Sequence, residues 1–417
     1  MQITVQRSKI SGEIAAPPSK SYAQRALAGA LLTKGITIIR NPSVSDDAKA
    51  ATGIIRLLGA TIDDQGDHLM IKGGFNPISQ KLDCGEAGLS LRMFSPIAAL
   101  ADNTMMMSGT GSLLNRPVQM IADALNQLGC RCQTQEGFLP VWIKGPLKSG
   151  KATIDGSVSS QLLTGLLMAL PVVKGDSEIR VSNLQSLPYV DMTIDILKQF
   201  GISVKHDEYK TFHIPGKQKY RPATIHVEGD WSGAAFLLVA GALAGTVTIS
   251  GLQENSLQAD RQILRALEFA GARIEITGDR ITVSRGELRP FDFNATNCPD
   301  LFPPLVALAA HCNGVSRIEG VGRLIHKESN RAKVLQDEFY KLGISMRIEG
   351  PNLYVSGQSL MKTGEVNAHG DHRIAMAAAT VAMISRTPVK IIGAECIAKS
   401  YPGFYQDLKT LGGRIDE

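Results

Sequence analysis

Leu128-Gly129-Cys130-Arg131-Cys132 is one copy of a phrase that recurs along the whole chain: an apolar residue, a glycine and a short β-like run. The others are Leu58-Gly59-Ala60-Thr61-Ile62, Phe200-Gly201-Ile202-Ser203-Val204, Ala270-Gly271-Ala272-Arg273-Ile274, Leu342-Gly343-Ile344-Ser345-Met346 and Leu411-Gly412-Gly413-Arg414-Ile415. The glycines stand 70, 72, 70, 72 and 69 residues apart, so one structural unit is written six times. Each phrase closes an amphipathic stretch such as Ile121 to Leu128, and each glycine reads as the left-handed residue that ends a helix before a strand.

A more apolar series runs in step with the first. Its members lead from Lys20-Ser21 into Ala26 to Leu32, from Gly85 to Gly88 into Leu91 to Leu100, from Ser159-Ser160 into Leu162 to Leu170, from Gly229-Asp230 into Ala234 to Leu243, from Pro299-Asp300 into Leu305 to Ala310, and from Asp371-His372-Arg373 into Ile374 to Ile384. A helix apolar on nearly every side is a buried helix. Each unit therefore carries one buried and one outer helix, with β-rich segments such as Thr37 to Ile39 and Thr246 to Ile249 between them. Single cores rarely grow past ~250–300 residues, so six units imply two α/β bodies of three.

With 417 residues and 44% hydrophobic content the chain can bury two substantial cores. Lys plus Arg is 44 and Asp plus Glu is 39, a net charge of +5. The basic residues are scattered among Gly, Ser and Pro, which argues against a nucleic-acid surface and for a small anionic ligand held by separated cations. The apolar stretches around Leu162 to Val173 and Ala234 to Leu243 fall short of the ~18 residues that a membrane span needs, so no membrane segment is expected. The N-terminus alternates like a strand and lacks the build of an export signal. Six cysteines without paired zinc spacings suggest reduced thiols and a cytoplasmic location.

The unusual chemistry gathers where helices start. Ser19, Lys20, Ser21 and Arg25 lie at the first buried helix, Ser159, Ser160 and Gln161 at the third, Asp300 at the fifth and Asp371, His372 and Arg373 at the sixth. Asn115-Arg116-Pro117, Lys327 to Arg331 and Lys399 to Pro402 are expected to begin outer helices. Ser and Asp there can be plain N-caps, but cations there oppose the helix dipole by ~0.3–1 kcal/mol each. Lys20, Arg116, Lys327, Lys399 and Arg373 therefore ask for compensating anions. His369 and His372 resemble a metal pair less than part of an anion site, because Asp371 and Arg373 adjoin them. Glycine-rich nucleotide loops and a Gly-x-Ser-x-Gly elbow are missing.

In order along the chain, several segments resemble the 5-enolpyruvylshikimate-3-phosphate (EPSP) synthases: Pro17 to Ser21 with Arg25, Gly85 to Arg92, Arg116-Pro117, Asp155 to Gln161, Ser186 to Tyr189, Val227 to Asp230, Pro299-Asp300, Lys327-Glu328 with Arg331, Asp371 to Arg373 and Ala398-Lys399. The resemblance implies two domains, each of three β-α-β-α-β-β repeats, the inside-out α/β barrel of the enolpyruvyl transferases. It places the domains at 18–226 and 227–417, with the strand segment 1–17 joined to the second, and has them close on their ligands. The implied reaction transfers the enolpyruvyl group of phosphoenolpyruvate to the 5-hydroxyl of shikimate 3-phosphate. It releases phosphate by addition and elimination through a tetrahedral intermediate, with no metal or organic cofactor and no macromolecular partner; the chain is expected to act as a monomer.

Carried over position by position, the resemblance assigns shikimate 3-phosphate to Lys20, Ser21, Arg25, Ser159, Ser160, Gln161, Ser186, Tyr189, Asp300 and Lys327. Phosphoenolpyruvate falls to Lys20, Gly88, Arg116, Gln161, Arg331, Arg373 and Lys399. Lys20, Asp300 and Glu328 are the proton-transfer candidates, their individual steps left open, and His372 is read as orienting its neighbours. The loop Gly85-Glu86-Ala87-Gly88-Leu89 departs from the usual Gly-Asn-Ala-Gly-Thr, setting a carboxylate where an anion is to bind, and Arg323 stands where Asn is common. The rivals are a UDP-N-acetylglucosamine enolpyruvyl transferase, whose mobile loop carries a cysteine that Met105 to Leu114 lacks, and a catalytically silent binder of a phosphorylated metabolite.

Overall fold

The computed structural model describes residues 1–357, 362 and 364–417. Among the described residues the α-helices are α1 (Lys20–Leu32), α2 (Asp46–Leu57), α3 (Gly88–Ala98), α4 (Gln119–Gln127), α5 (Gln161–Ala169), α6 (Leu187–Gln199), α7 (Trp231–Ala244), α8 (Ile263–Phe269), α9 (Phe302–Ala309), α10 (Arg331–Lys341), α11 (His372–Ala382) and α12 (Phe404–Thr410). The odd-numbered helices are buried on nearly every side and the even-numbered ones on a single face, which is the alternation that the two apolar series foretell.

Every even-numbered helix ends on the repeated glycine. Gly59, Gly129, Gly201, Gly271, Gly343 and Gly412 have φ between 77° and 109°. In each case the glycine N–H and the next N–H turn back to helix carbonyls, as Gly59 does to Arg56 and Ala60 to Ile55. This double closure satisfies two of the carbonyls that a helix end leaves without partners, and only glycine takes the left-handed turn without strain.

Contacts divide the chain into a first body, Pro18–Val227, and a second body, Met1–Pro17 with Glu228–Glu417. Among the described residues each body holds three four-stranded sheets, each with one parallel pair followed by two antiparallel strands; in the second, third and fifth the parallel pair is joined through a buried helix and the last two strands by a hairpin. In the second repeat Lys81–Asp83 runs parallel to Thr104–Ser108, which pairs antiparallel with Phe138–Lys144 and that in turn with Arg131–Gln135. Two first strands are exchanged. Ile10–Ala15, which precedes α1, pairs with Gly245–Ser250 in the second body, and Thr224–His226, which precedes α7, pairs with Ile36–Arg40 in the first. The N-terminal strand Gln2–Gln6 completes the sixth sheet between Val389–Ile392 and Arg414–Asp416.

Strands such as Lys151–Asp155 alternate exposed and buried residues, so one face of each sheet covers the buried helices and the other meets solvent. Within the first body α5 comes up against α3 where Gly165 has no side chain; a Cβ there would stand 2.6 Å from the Met93 carbonyl oxygen and 2.9 Å from that of Arg92. Pro96 lies one turn beyond Arg92 and has no N–H to return to its carbonyl. Replacing Gly165 by leucine would force the two helices apart. Each fully buried Leu or Phe along them contributes ~1.5–3 kcal/mol.

Candidate active site

In the first body four cations lie in α1, in α3 or just before α4. Lys20 is the first residue of α1, capped by the Ser19 hydroxyl, and its Nζ lies 2.7 Å from Asp47 Oδ2 in the first turn of α2. Arg25, one turn along, is wholly buried. Its Nε donates to Thr193 Oγ1 at 2.9 Å and its Nη1 to the Ser21 carbonyl at 2.8 Å, with Thr164 Oγ1 and the Tyr189 carbonyl at 3.5 and 3.4 Å from Nη2. All of these partners are neutral, and burial lowers its proton affinity to about 10. The guanidinium also stands 5.9 Å from the centre of the Tyr189 ring.

Gly88 opens α3 beside the other two cations. A Cβ there would meet Arg116 Nη1 at 2.7 Å and Arg92 Nη1 at 2.9 Å, with Gln161 Oε1 at 3.7 Å. The missing side chain is thus what lets two guanidiniums and an amide share one place. Arg92 donates to Gln161 Oε1 at 3.2 Å and to the Pro117 carbonyl at 3.2 Å. Arg116 lies between a 3₁₀ turn, Gly111–Asn115, and α4, so it does not begin the outer helix as expected. Glu86 does not point its charge loosely into this space: its Oε2 accepts the Ser112 N–H at 2.7 Å, next to Gly111.

Ser159 and Ser160 precede α5, where Ser159 Oγ accepts the Gln161 N–H at 3.1 Å. Ser186 caps α6 in a left-handed conformation, φ 58° and ψ 46°, which costs a non-glycine residue roughly 1–2 kcal/mol. Tyr189 follows in the first turn of the same helix.

The second body balances its cations with carboxylates of its own. Arg331 opens α10 and is fully buried. Its Nη1 donates to Asp300 Oδ1 at 2.8 Å, its Nε to Asp371 Oδ2 at 2.8 Å, and its Nη2 to Asp371 Oδ1 at 3.1 Å and to Glu328. Lys327 Nζ reaches Asp300 Oδ1 at 3.2 Å, and Arg373 Nη2 reaches Asp300 Oδ2 at 3.3 Å. Asp371 is also the N-cap of α11, accepting the Arg373 N–H at 3.1 Å and the Ser329 hydroxyl at 3.0 Å. His372 is fully buried beside it as the first residue of α11, and Lys399 Nζ donates to the Gly370 carbonyl at 2.6 Å.

Burial alone would raise the Asp300 carboxyl, but Arg373, Lys327 and Arg331 together hold it well below the usual carboxylate range. Burial lowers the proton affinity of Lys327 against the pull of Asp300. For Arg331 the carboxylates outweigh burial, and its proton is held more tightly than in water. Asp300 sits in a 3₁₀ turn that runs into α9, Lys327 and Glu328 in the segment before α10, and Lys399 at the end of a 3₁₀ turn before α12, so none of them occupies the first turn of an α-helix. Arg323, also on a 3₁₀ turn, donates to the Thr296 carbonyl at 2.9 Å.

Sequence reasoning missed Asp47, Asp260 and the central place of Asp371. Asp47 reads as a helix-start acid after Ser45, and nothing in the spacing points it at Lys20. Asp260 is fully buried, hydrogen-bonded to the Ser232 hydroxyl, and pushed up to about 7 by burial and by Asp300 against the pull of Arg373. Asp371 was visible as a cap; that its carboxylate clasps Arg331 was not.

The fold is shared with an enolpyruvyl transferase, NikO of Streptomyces tendae, at a TM-score of 0.80 and 18% identity over 99% of this chain and 98% of that one. A solved EPSP synthase of Acinetobacter baumannii matches over all of both chains with a TM-score of 0.83 and 25% identity. Residues 5–408 match the model of the EPSP synthase (3-phosphoshikimate 1-carboxyvinyltransferase) family. A 3-phosphoshikimate 1-carboxyvinyltransferase of Clostridium kluyveri is 39% identical across 100% of this chain and 98% of its own, and one of Methanocorpusculum labreanum is 36% identical across all of both. The chain belongs to the EPSP synthase family. It is an enzyme, and its reaction is enolpyruvyl transfer from phosphoenolpyruvate to shikimate 3-phosphate in the shikimate pathway to aromatic amino acids. Among the described residues no helix is long and apolar enough to cross a membrane.

Proposed function

We propose that the two sets of polar residues divide this reaction between them, with groups of both bodies assigned to one pair of substrates. Shikimate 3-phosphate is held by Lys20, Ser21, Arg25, Ser159, Ser160, Gln161, Ser186 and Tyr189, with Asp300 and Lys327. Phosphoenolpyruvate is held by Lys20, Gly88, Arg116, Gln161, Arg331, Arg373 and Lys399. Arg331 spends four hydrogen bonds on Asp300, Asp371 and Glu328, so one Nη1 hydrogen is left for the ligand and much of its work is to position carboxylates.

The carrying observation is the Asp300 carboxylate, ionised among Lys327, Arg331 and Arg373. In that setting it is a weak base. Anionic substrates that engage Lys327 and Arg373 draw off the positive charge that stabilises it, which raises its proton affinity when a hydroxyl proton must be taken. A proton goes to the methylene carbon of phosphoenolpyruvate while the hydroxyl oxygen bonds to the neighbouring carbon and gives its proton to Asp300. The resulting ketal phosphate then loses phosphate, and a proton leaves the new methyl group to restore the double bond. Glu328, beside Arg331, and Lys20 are the groups assigned to the carbon.

The six cysteines are unbridged and buried, which supports a reducing compartment such as the cytoplasm, where we expect the enzyme to act as a monomer. The test is phosphate release measured with both substrates and without added metal. Asp300→Asn and Glu328→Gln should each lower kcat by about 10²–10⁴ while shikimate 3-phosphate still binds. Full activity in both variants would remove the acid–base assignment.

A further inference from the structure

The second body has a cavity of about 860 Å³ away from the residues assigned to the reaction, where the N-terminal chain crosses from the strand Gln2–Gln6 to the strand Ile10–Ala15. Arg7, Lys9, Arg273, Arg285 and Arg414 line it, and no acidic residue does. All five side chains are exposed. Arg414 reaches the Arg7 carbonyl through Nη2. Among the described residues none of the five forms an ion pair, although Lys and Arg elsewhere in this body pair freely, as Arg280 does with Glu13 and Lys390 with Glu365.

Two ordinary explanations fall short. Basic residues often sit at helix C-termini, and α7 and α11 do end here, at Leu243-Ala244 and just before Met383-Ile384. Two such ends carry roughly −1 charge together, which leaves about four of the five positive charges uncompensated. Arg273 and Arg414 lie on edge strands, where a cation discourages stray pairing. That role needs charges turned outward along an edge. It does not need cations from the connector, two edge strands and a strand end to line one solvent-open hollow, where mutual repulsion works against the fold. The volume of about 860 Å³ falls within the roughly 300–1,000 Å³ of small-molecule sites.

We propose that this cavity binds a small polyanion carrying three or four negative charges, of the oligophosphate class, held by Arg273 and Arg285 on one side and by Arg7, Lys9 and Arg414 on the other. The ligand ties the N-terminal connector to the fourth and sixth repeats and relieves the repulsion among the five cations, so its primary effect is on the stability of the second body. The proposal does not depend on the assignment of residues to the reaction.

Titration calorimetry with inorganic tripolyphosphate, followed by thermal unfolding, tests it. The wild-type protein should bind one tripolyphosphate, unfold at a higher temperature with it, and lose affinity as salt is raised. Arg273→Ser/Arg285→Ser should lower the affinity by about a hundredfold or more and leave kcat unchanged, since each of the two lost charge-assisted hydrogen bonds is worth about tenfold or more. Arg273→Lys/Arg285→Lys should retain most of the binding, and so should Lys20→Met. ATP without magnesium is the second probe: tighter binding than tripolyphosphate marks a nucleotide ligand, equal binding an inorganic one, and either supports the proposal. Absence of binding at millimolar tripolyphosphate would overturn it. So would binding that survives Arg273→Ser/Arg285→Ser but is lost in Lys20→Met, or tighter cavity-dependent binding of a short RNA.

Discussion

Arg25 and Arg331 are both fully buried arginines near the start of a helix, one in each body, and they are stabilised in opposite ways. Arg25 is surrounded by hydroxyls and carbonyls and is held less tightly protonated than in water. Arg331 is clasped by Asp300, Asp371 and Glu328 and is held more tightly. A buried charge among neutral dipoles retains its pull on an anion, whereas a buried charge among carboxylates has spent it. The first arrangement suits the holding of a phosphorylated ligand, and the second suits the fixing of carboxylates that must move protons.

The sharpest way to break this contrast is to remove each guanidinium. Arg331→Met should cost about 3–5 kcal/mol of stability, because it strands buried carboxylates, and urea unfolding will show it. A loss under about 1 kcal/mol would mean that water or other groups already solvate those carboxylates. Arg25→Met should change stability by no more than about 1–2 kcal/mol, since it removes a charge that burial penalises. Thr164 and Thr193 remain hydrogen-bonded to each other at 3.0 Å. Its effect should appear instead as a weakening of shikimate 3-phosphate binding of about tenfold or more by calorimetry, the worth of one charge-assisted hydrogen bond.

Acid should separate the two regions next. The folded value of Asp300 lies below its ordinary value of 3.8, so the stability it contributes is present above that pH and is lost as pH falls through the folded value. Hydrogen exchange in strong acid should therefore rise around α10 and α11 before it rises around α1. Asp260 works in the opposite direction. Its folded value is about 7 against 3.8, so the protein loses stability from this group as pH rises from 3.8 through about 7. Asp260→Asn should leave the Tm unchanged at strongly acidic pH and raise it at pH 8; an unchanged Tm at pH 8 would show Asp260 to be ionised at no cost.

The smallest expected effect is none. Burial pushes the thiols up, to about 11 for Cys130 and about 12 for Cys132 and Cys312. Alkylating reagents at neutral pH should leave the native enzyme active, and inhibition would point to a reactive thiol of the kind the rival enolpyruvyl transferases carry.

Much of this molecule can be read one residue at a time. Gly129 ends a helix because no other residue takes its φ of 78° at so little cost, and that local rule, repeated at regular intervals, yields the count of units. The alternation of wholly and partly buried helices follows from side-chain periodicity, whereas the grouping of Gly88, Arg116 and Gln161, which lie in contact, is implied only by the family resemblance. The helix starts were read less well. Arg116, Asp300, Lys327 and Lys399 lie on 3₁₀ turns or connecting segments, because such short pieces carry no apolar period to mark their limits. The cations expected to need an external anion meet an internal one at Lys20, Lys327 and Arg373, since Asp47 and Asp300 look in sequence like ordinary helix-start acids.

The amino-acid order by itself determined the helix stops, the six-fold repetition, the buried helices and the family, because these depend on backbone conformation, on hydrophobic period and on motifs in line. Only the tertiary structure decided which carboxylate faces which cation, which strand completes which sheet, and that five unpaired basic residues share one cavity. Charge pairing acts through space at 3 Å or so between residues tens of positions apart, a distance that no local pattern in the chain encodes.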